Sequence, residues 1–365
     1  MSPQNQQLRV LIVRLGAMGD ILHALPAITA LRAAHPEWFI GWTVEPQWRG
    51  LLCTECPTPP AGRCPQMPLV DAIHIVPAKQ WARSPLAPAT LRDIRRVRRE
   101  LREARYDIAI DLQGAVRSAV IARWARASRL IGEDKPREHA ARWLFTERIP
   151  TSGVHVIEQA IEVANAVAGE SLPFTAPLLP ADESAEKDAA AITEPFVLLS
   201  PGAGWGAKRW PIDRYAEVAK QLRHEGYNIA INAGPGEEGI ANELMYQLAG
   251  VDGITMLQPT LTELVAITRR ASLVIAGDTG PLHLACALGK PVVGIFGPTD
   301  PARNGPFGCA SRVLRHPESR RDHTRHAQPE AGLLTITPED VLSAALDLLL
   351  DTKQASLPRS LRESH

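Results

Sequence analysis

Four short segments of this chain repeat one device: an apolar strand that runs into a Gly-rich turn and then a helix. They fall in two clusters about half the chain apart, which points to two nucleotide-fold halves. The first is Arg9-Val-Leu-Ile-Val-Arg-Leu-Gly-Ala-Met-Gly-Asp20, where Val10 to Val13 reads as a buried parallel strand and Gly16 and Gly19 open the turn into an apolar-periodic helix. The others are Phe196-Val-Leu-Leu-Ser-Pro-Gly-Ala-Gly204, Ile229-Ala-Ile-Asn-Ala-Gly-Pro-Gly-Glu237 and Leu273-Val-Ile-Ala-Gly-Asp-Thr-Gly-Pro-Leu-His283. In such sheets ligands bind at the carboxyl ends of the strands, where helix N-termini offer free N–H groups and a positive dipole end. A nucleotide phosphate is the expected guest.

A length of 365 residues exceeds one ordinary core and fits two domains. The formal net charge of zero excludes a global pull toward nucleic acid or membrane, so any such role must come from a local patch. Five cysteines, an odd number spread along the chain, make no disulfide framework and fit a reducing compartment. The segment Met1 to Gln7 lacks the basic and apolar regions of an export signal, and no apolar run reaches the roughly 18 residues of a membrane span. The expectation is a cytoplasmic protein, at most peripheral on a membrane, with no nucleic-acid partner.

After the first strand, Ile21, Leu22, Leu25, Ile28 and Leu31 recur at helical spacing, which makes that face of the helix core. Strands are expected near Phe39–Val44, Ala72–Val76, Asp107–Leu112 and Arg129–Ile131, and helices near Thr90–Ala104, Val116–Ala125 and Val156–Val167. That alternation is α/β. The Pro-rich, acidic stretch Ser171 to Pro195 breaks it and reads as a linker, giving an N-terminal domain over 1–185 and a C-terminal domain over 186–353. The second half alternates strand and helix again and closes with a helix from Pro338 capped by Thr337, while residues 354–365 read as a frayed tail.

Gly202-Ala-Gly-Trp-Gly-Ala207 formally fits the G-x-G-x-x-A dinucleotide fingerprint, which would suit a nicotinamide-dependent dehydrogenase. Pro211 argues against it, because the helix begins only there and the turn instead delivers Lys208 and Arg209. Those two cations suit a diphosphate, or else are ordinary surface charges. In the loop Gly277-Asp-Thr-Gly-Pro-Leu-His283, the amides and the Thr279 hydroxyl would point at an anion, with Asp278 orienting the loop and His283 either a ligand or a structural histidine. Glu237 either accepts from ribose hydroxyls or is an acid favoured by a helix N-terminus. Asp20 is either an N-cap or a general base.

Cys53, Cys56 and Cys64 share a Pro-rich loop. Their C-x2-C pair invites zinc, but a fourth ligand is missing unless His74 supplies it, so no metal is expected there. The helix bearing Arg92, Arg95, Arg96, Arg98, Arg99, Arg102 and Arg105 is either a solvated face or a surface for anionic lipid headgroups.

Taken together, Arg14-Leu-Gly-Ala-Met-Gly-Asp-Ile-Leu-His-Ala-Leu-Pro26, Asp111-Leu-Gln-Gly114, Pro201-Gly-Ala-Gly-Trp-Gly-Ala-Lys-Arg-Trp-Pro211, Asp278-Thr-Gly-Pro-Leu-His283 and Phe296-Gly-Pro-Thr-Asp-Pro301 resemble glycosyltransferase family nine, the ADP-heptose:lipopolysaccharide heptosyltransferases. The likeness spans nearly the whole chain in order. The N-terminal segment and Gln113-Gly114 with Arg117 are most similar to members that add the first heptose to Kdo of the inner core. Ala203 and Gly204 stand where those members have two threonines, and Pro-Gly-Ala with Lys-Arg-Trp-Pro is closer to members that add the second heptose.

The resemblance implies a GT-B fold, two Rossmann-like halves facing a cleft, and inversion at the sugar carbon, with no cofactor. It implies Asp20 as base and Lys208 as a catalytic contact to the donor phosphates. Gly204, Arg209, Glu237, Asp278, Thr279, Gly280 and His283 would complete the ADP-heptose site. Gly19, Gln113 and Arg117 would meet a Kdo-lipid A type acceptor at the inner face of the inner membrane. No D-x-D triplet occurs in the sequence, so leaving-group charge falls to Lys208, Arg209 and the Thr279–Gly280 helix end rather than to a metal. A sugar-nucleotide epimerase on the same fold, needing no acceptor, is the rival enzyme reading.

Overall fold

The computed structural model describes residues 7–54, 63–319 and 328–356. The chain forms two compact units, Met1–Asp182 and Glu183–His365. The first contains β1 (Arg9–Val13), α1 (Met18–Ala34), β2 (Phe39–Val44), β3 (Ala72–Ile75), α2 (Ala78–Arg83), α3 (Pro88–Glu103), β4 (Ile108–Asp111), α4 (Val116–Trp124), β5 (Arg129–Glu133), β6 (Glu147–Ile149) and α5 (Val156–Ala168). Its six strands are all parallel in the order β3-β2-β1-β4-β5-β6. Burial on both faces explains the unbroken apolar runs at Val10–Val13 and Ile108–Ile110. α1 is buried over most of its circumference, not on one face, because α5 packs along it and the chain near Leu178 crosses it, the Leu178 N–H donating to the Thr29 hydroxyl at 3.2 Å.

The second unit contains α6 (Glu183–Ala189), β7 (Phe196–Ser200), α7 (Ile212–His224), β8 (Asn228–Asn232), α8 (Glu238–Gln247), β9 (Ile254–Leu257), α9 (Leu261–Arg270), β10 (Leu273–Gly277), α10 (Gly280–Ala287), β11 (Val292–Phe296), α11 (Pro301–Asn304), β12 (Ser311–Arg315) and α12 (Pro338–Ser356). Its parallel sheet, β12-β11-β10-β7-β8-β9, repeats the strand order of the first. Counted within each unit, both read 3-2-1-4-5-6, the dinucleotide-fold order, so each has one topological switch point: β1 beside β4, and β7 beside β10. α12 packs on α7 and the β10–β12 side of the sheet, and the buried Trp210 indole donates to the Ile336 carbonyl at 3.0 Å.

Three features depart from the sequence reading. The Pro-rich stretch Ser171–Pro195 contains α6, whose Ala185 and Ala189 are buried and which packs on α9, with Glu186 paired to Arg269 at 2.5 Å. The edge strands β6 and β12 carry too many charges in too few residues to announce themselves. α12 starts as expected, with Thr337 and Asp340 capping each other, but its backbone stays helical through Ser356, into the segment read as frayed. Residues 357–365 and Cys56 lie outside the described residues. Among the described residues no helix is long and apolar enough to cross a membrane, and no cluster of three His, Cys, Asp or Glu is placed to hold a metal ion.

Candidate active site

At the first switch point, the turn after β1 and the loop after β4 are tied together. Asp111, at the end of β4, accepts from the backbone N–H groups of Gln113 (2.8 Å) and Gly114 (3.0 Å) and lies 2.8 Å from the Ser118 hydroxyl. Gly114 sits at φ +64°, and a Cβ there would come within 2.9 Å of the Arg137 backbone nitrogen, so only glycine fits. The Gln113 side-chain oxygen Oε1 then accepts from the Leu15 N–H at 2.8 Å, and the Arg14 guanidinium donates to the Leu112 carbonyl. Gln113 is thus committed by one end of its amide to holding the β1 turn.

The same Arg14 reaches Asp20, pairing with its carboxylate at 3.0 Å and donating to its backbone carbonyl at 3.2 Å. Asp20 is not the N-cap. That position falls to Ala17, which has no capping group, and Asp20 stands three residues into α1 with its other oxygen accepting the Ala17 N–H at 3.0 Å. The carboxylate is therefore oriented from two sides while its side chain stays 40% exposed. Gly19 precedes it in the first turn. His23, one turn further along, is buried with its ring edge-on to His155 at 5.6 Å. Arg117 is exposed on the first turn of α4.

Burial lifts the Asp111 carboxyl to about 6, against the pull of the Gln113 and Gly114 amides, Ser118 and Arg14. An unfolded Asp releases its proton near pH 4 and the folded one only near pH 6, so this group makes stability fall as pH rises through that window, by roughly 3 kcal/mol. Asp111→Asn is expected to abolish that fall while keeping the acceptor for both amides. Unfolding free energies of parent and variant at pH 4 and pH 7 check it: the variant gains on the parent at the higher pH, and a constant difference contradicts the assignment.

At the second switch point, the loop after β7 meets the loop after β10. Lys208 lies in a single 3₁₀ turn, Gly206–Lys208, so the Gly202 segment does not open a helix as a dinucleotide fingerprint would. α7 begins only at Ile212, with Pro211 in the capping position. The Lys208 ammonium meets the Asp278 carboxylate at 2.5 Å and the Asp278 carbonyl at 3.3 Å, and lies 4.6 Å from the centre of the Trp205 ring. His283 Nε2 stands 3.1 Å from the other Asp278 oxygen. Burial alone would push the Asp278 carboxyl up, but His283 and Lys208 outweigh it and hold it well below the ordinary carboxylate range.

Asp278 thereby fixes a cation and an imidazole around the start of α10. Thr279 occupies the capping position with Gly280 and Pro281 following, and its hydroxyl turns back to the Gly277 carbonyl at 3.3 Å rather than capping the helix. The first-turn amides of α10 have no side-chain cap, which suits an anion. An ammonium has three protons and Asp278 takes two of them, leaving Lys208 one for such an anion.

Glu237 occupies the capping position of α8, yet its carboxylate does not cap that helix. It turns back to accept the Gly234 N–H at 3.0 Å and lies against the end of β7, where a Cβ on Gly202 would come within 2.0 Å of it. Burial raises its carboxyl, while Gly234 and the charge of the exposed Arg209 pull the other way. Gly202 is thus the glycine this corner requires. Gly204 is exposed, and a Cβ there would meet nothing within 4 Å, so no steric demand explains it.

Arg14, Asp111, Ser118, Gly202 and Trp205 hold these corners without a role assigned to them from the sequence. All but Ser118 lie inside the motifs that carry the family resemblance. The buried Asn232 at the end of β8 donates to the Ser200 hydroxyl at 3.2 Å, and its own oxygen has no hydrogen-bond partner among the described residues.

The fold of this chain is similar to that of a solved structure described as E. coli heptosyltransferase WaaC with ADP. The superposition gives a TM-score of 0.75 at 26% identity, covering 92% of this chain and 98% of that one. The fold is that of the GT-B heptosyltransferases. The chain belongs to glycosyltransferase family 9 (heptosyltransferase), whose sequence model matches residues 94–333. It is 27% identical over 309 residues to lipopolysaccharide heptosyltransferase 1 of Pseudomonas aeruginosa, covering 82% of each chain. It is also 27% identical over 369 residues to lipopolysaccharide heptosyltransferase 2 of Salmonella typhimurium, covering 94% of this chain and 99% of that relative.

Proposed function

We propose that the protein transfers heptose from ADP-heptose to Kdo of a lipid A-linked lipopolysaccharide inner core, with inversion at the sugar carbon and without a metal. The observation that carries the donor side is the Lys208–Asp278–His283 cluster at the N-terminus of α10. Fixed positive charge there meets the diphosphate and stabilises ADP as it leaves. Glu237, with Arg209 beside it, receives the ribose, and Gly204, Thr279 and Gly280 line the donor. On the N-terminal unit, Asp20 takes the proton of the attacking hydroxyl as it becomes acidic in the transition state. Gly19, Gln113 and Arg117 meet the acceptor, whose lipid anchor places the enzyme at the inner face of the inner membrane.

A second acceptor, a heptosyl-Kdo core, is favoured by Ala203 and Gly204 and by the near-complete coverage of the heptosyltransferase 2 relative. The test is ADP release from ADP-heptose with Kdo or heptosyl-Kdo acceptor, in excess EDTA. Release that requires one of these acceptors and persists with chelator is expected. Release without acceptor would instead support an epimerase, and loss restored by magnesium or manganese would overturn the metal-free step.

A further inference from the structure

Between Arg83 and Arg148 the sequence carries sixteen Lys and Arg against nine Asp and Glu, in a chain of zero net charge. The helical parts of that segment, α3, α4 and the 3₁₀ turn His139–Leu144, pack on one another as one layer of the first unit. α3 packs against α4, the Arg98 guanidinium lies 5.8 Å from the Trp124 ring, and Arg123 donates to the Leu144 carbonyl at 3.1 Å in the 3₁₀ turn His139–Leu144. On the outside of α3, Arg92, Arg95, Arg99 and Arg102 recur at positions i, i+3, i+7 and i+10, one exposed stripe. Among the described residues Arg92, Arg95, Arg98 and Arg102 have no carboxylate within 4.0 Å, whereas Arg96 and Arg99 do. The crowding is felt: Arg126 and Arg98 hold the Arg102 guanidinium below its ordinary value.

The same layer exposes apolar side chains at its margins. Leu86, just before α3, is 85% exposed, and Trp143 is 69% exposed with the Arg142 and Arg148 guanidinium carbons 5.8 and 5.5 Å from its ring centre. An indole flanked by arginines, on a layer that also carries a guanidinium stripe and a bare leucine, matches a bilayer interface, where rings sit at headgroup depth and arginines meet lipid phosphates. A purely polyanionic partner would leave the indole and the leucine without a role.

We infer that the α3–α4 layer is the face by which this protein docks on a bilayer rich in anionic phospholipid. The inference rests on the reading that the acceptor is lipid-linked, and it names the surface that meets the lipid. The full chain is expected to co-sediment with phosphatidylcholine vesicles containing phosphatidylglycerol, weakly with phosphatidylcholine alone, and less as salt rises. Arg92→Glu, Arg95→Glu and Arg102→Glu together should weaken binding at least about 100-fold, and Trp143→Ala more modestly. Both variants are expected to keep parental turnover on a water-soluble acceptor lacking acyl chains.

Unchanged vesicle binding in the triple variant, or equal binding of the parent to both vesicle types, overturns the inference. So does retention on RNA or an acidic polypeptide without any vesicle binding. If the parent fails to turn over the soluble acceptor, the functional reading fails, while the vesicle measurements still decide the surface.

Discussion

Asp20→Asn is expected to leave melting temperature and ADP-heptose affinity close to the parent's while cutting turnover by roughly 10²–10⁴-fold, the range typical of a lost general base. The asparagine oxygen can still accept the Ala17 N–H, so the start of α1 keeps its contact. What disappears structurally is the ion pair with Arg14, and at a carboxylate this exposed such a pair contributes at most about 1 kcal/mol. The proton acceptor disappears outright. A helix-terminal role for Asp20 therefore predicts near-parental turnover, and a catalytic role predicts collapse without unfolding. Melting temperature, donor affinity and turnover measured on one preparation separate the two. Turnover within a few fold of the parent would move the base elsewhere, with His23, one turn along the same helix, the first candidate.

Lys208→Ala is expected to weaken ADP-heptose binding by roughly 10–100-fold, as a charge-assisted phosphate contact of about 1.5–3 kcal/mol is lost, and to slow transfer as leaving-group charge goes unmet. ADP should compete with the donor in the parent enzyme. The variant carries a second signature through Asp278. A carboxyl held below its unfolded value stabilises the fold above that unfolded value and loses the contribution as pH falls through the folded one. Removing Lys208 takes away one of the groups holding Asp278 down, leaving His283, so the stability lost on acidification should be smaller in the variant and complete at a higher pH. Donor titration by calorimetry and unfolding free energies across the acid range read the two effects separately. Unchanged donor affinity removes Lys208 from the binding site even if the acid limb moves.

The central strands were readable because parallel strands buried on both faces leave continuous apolar runs, and their turns because glycine and helix-capping residues punctuate them. β6 and β12 were not, since a strand such as Glu147–Ile149 has neither length nor apolar content to distinguish it. α6 was hidden by the prolines on either side of it. The candidate site divides in the same way. Asp20, Lys208, Glu237, Asp278 and His283 stand out because titratable residues follow Gly-rich turns at strand ends. Their partners do not, because pairing depends on which strands become neighbours: Lys208 and Asp278 are 70 positions apart and meet only because β7 lies beside β10. Local reading also misplaced the cap of α1, since alanine at the capping position carries no side-chain signature and the carboxylate three residues on supplies the bond instead.

Mass spectrometry of the acceptor after incubation of purified protein with ADP-heptose tests the central claim most directly. The account predicts that a Kdo-bearing core, or one already carrying a first heptose, gains a single heptosyl residue whose anomeric configuration is opposite to that of the donor, with one ADP released per transfer. An acceptor of unchanged mass, with ADP-heptose intact or split into ADP and free sugar, would contradict it.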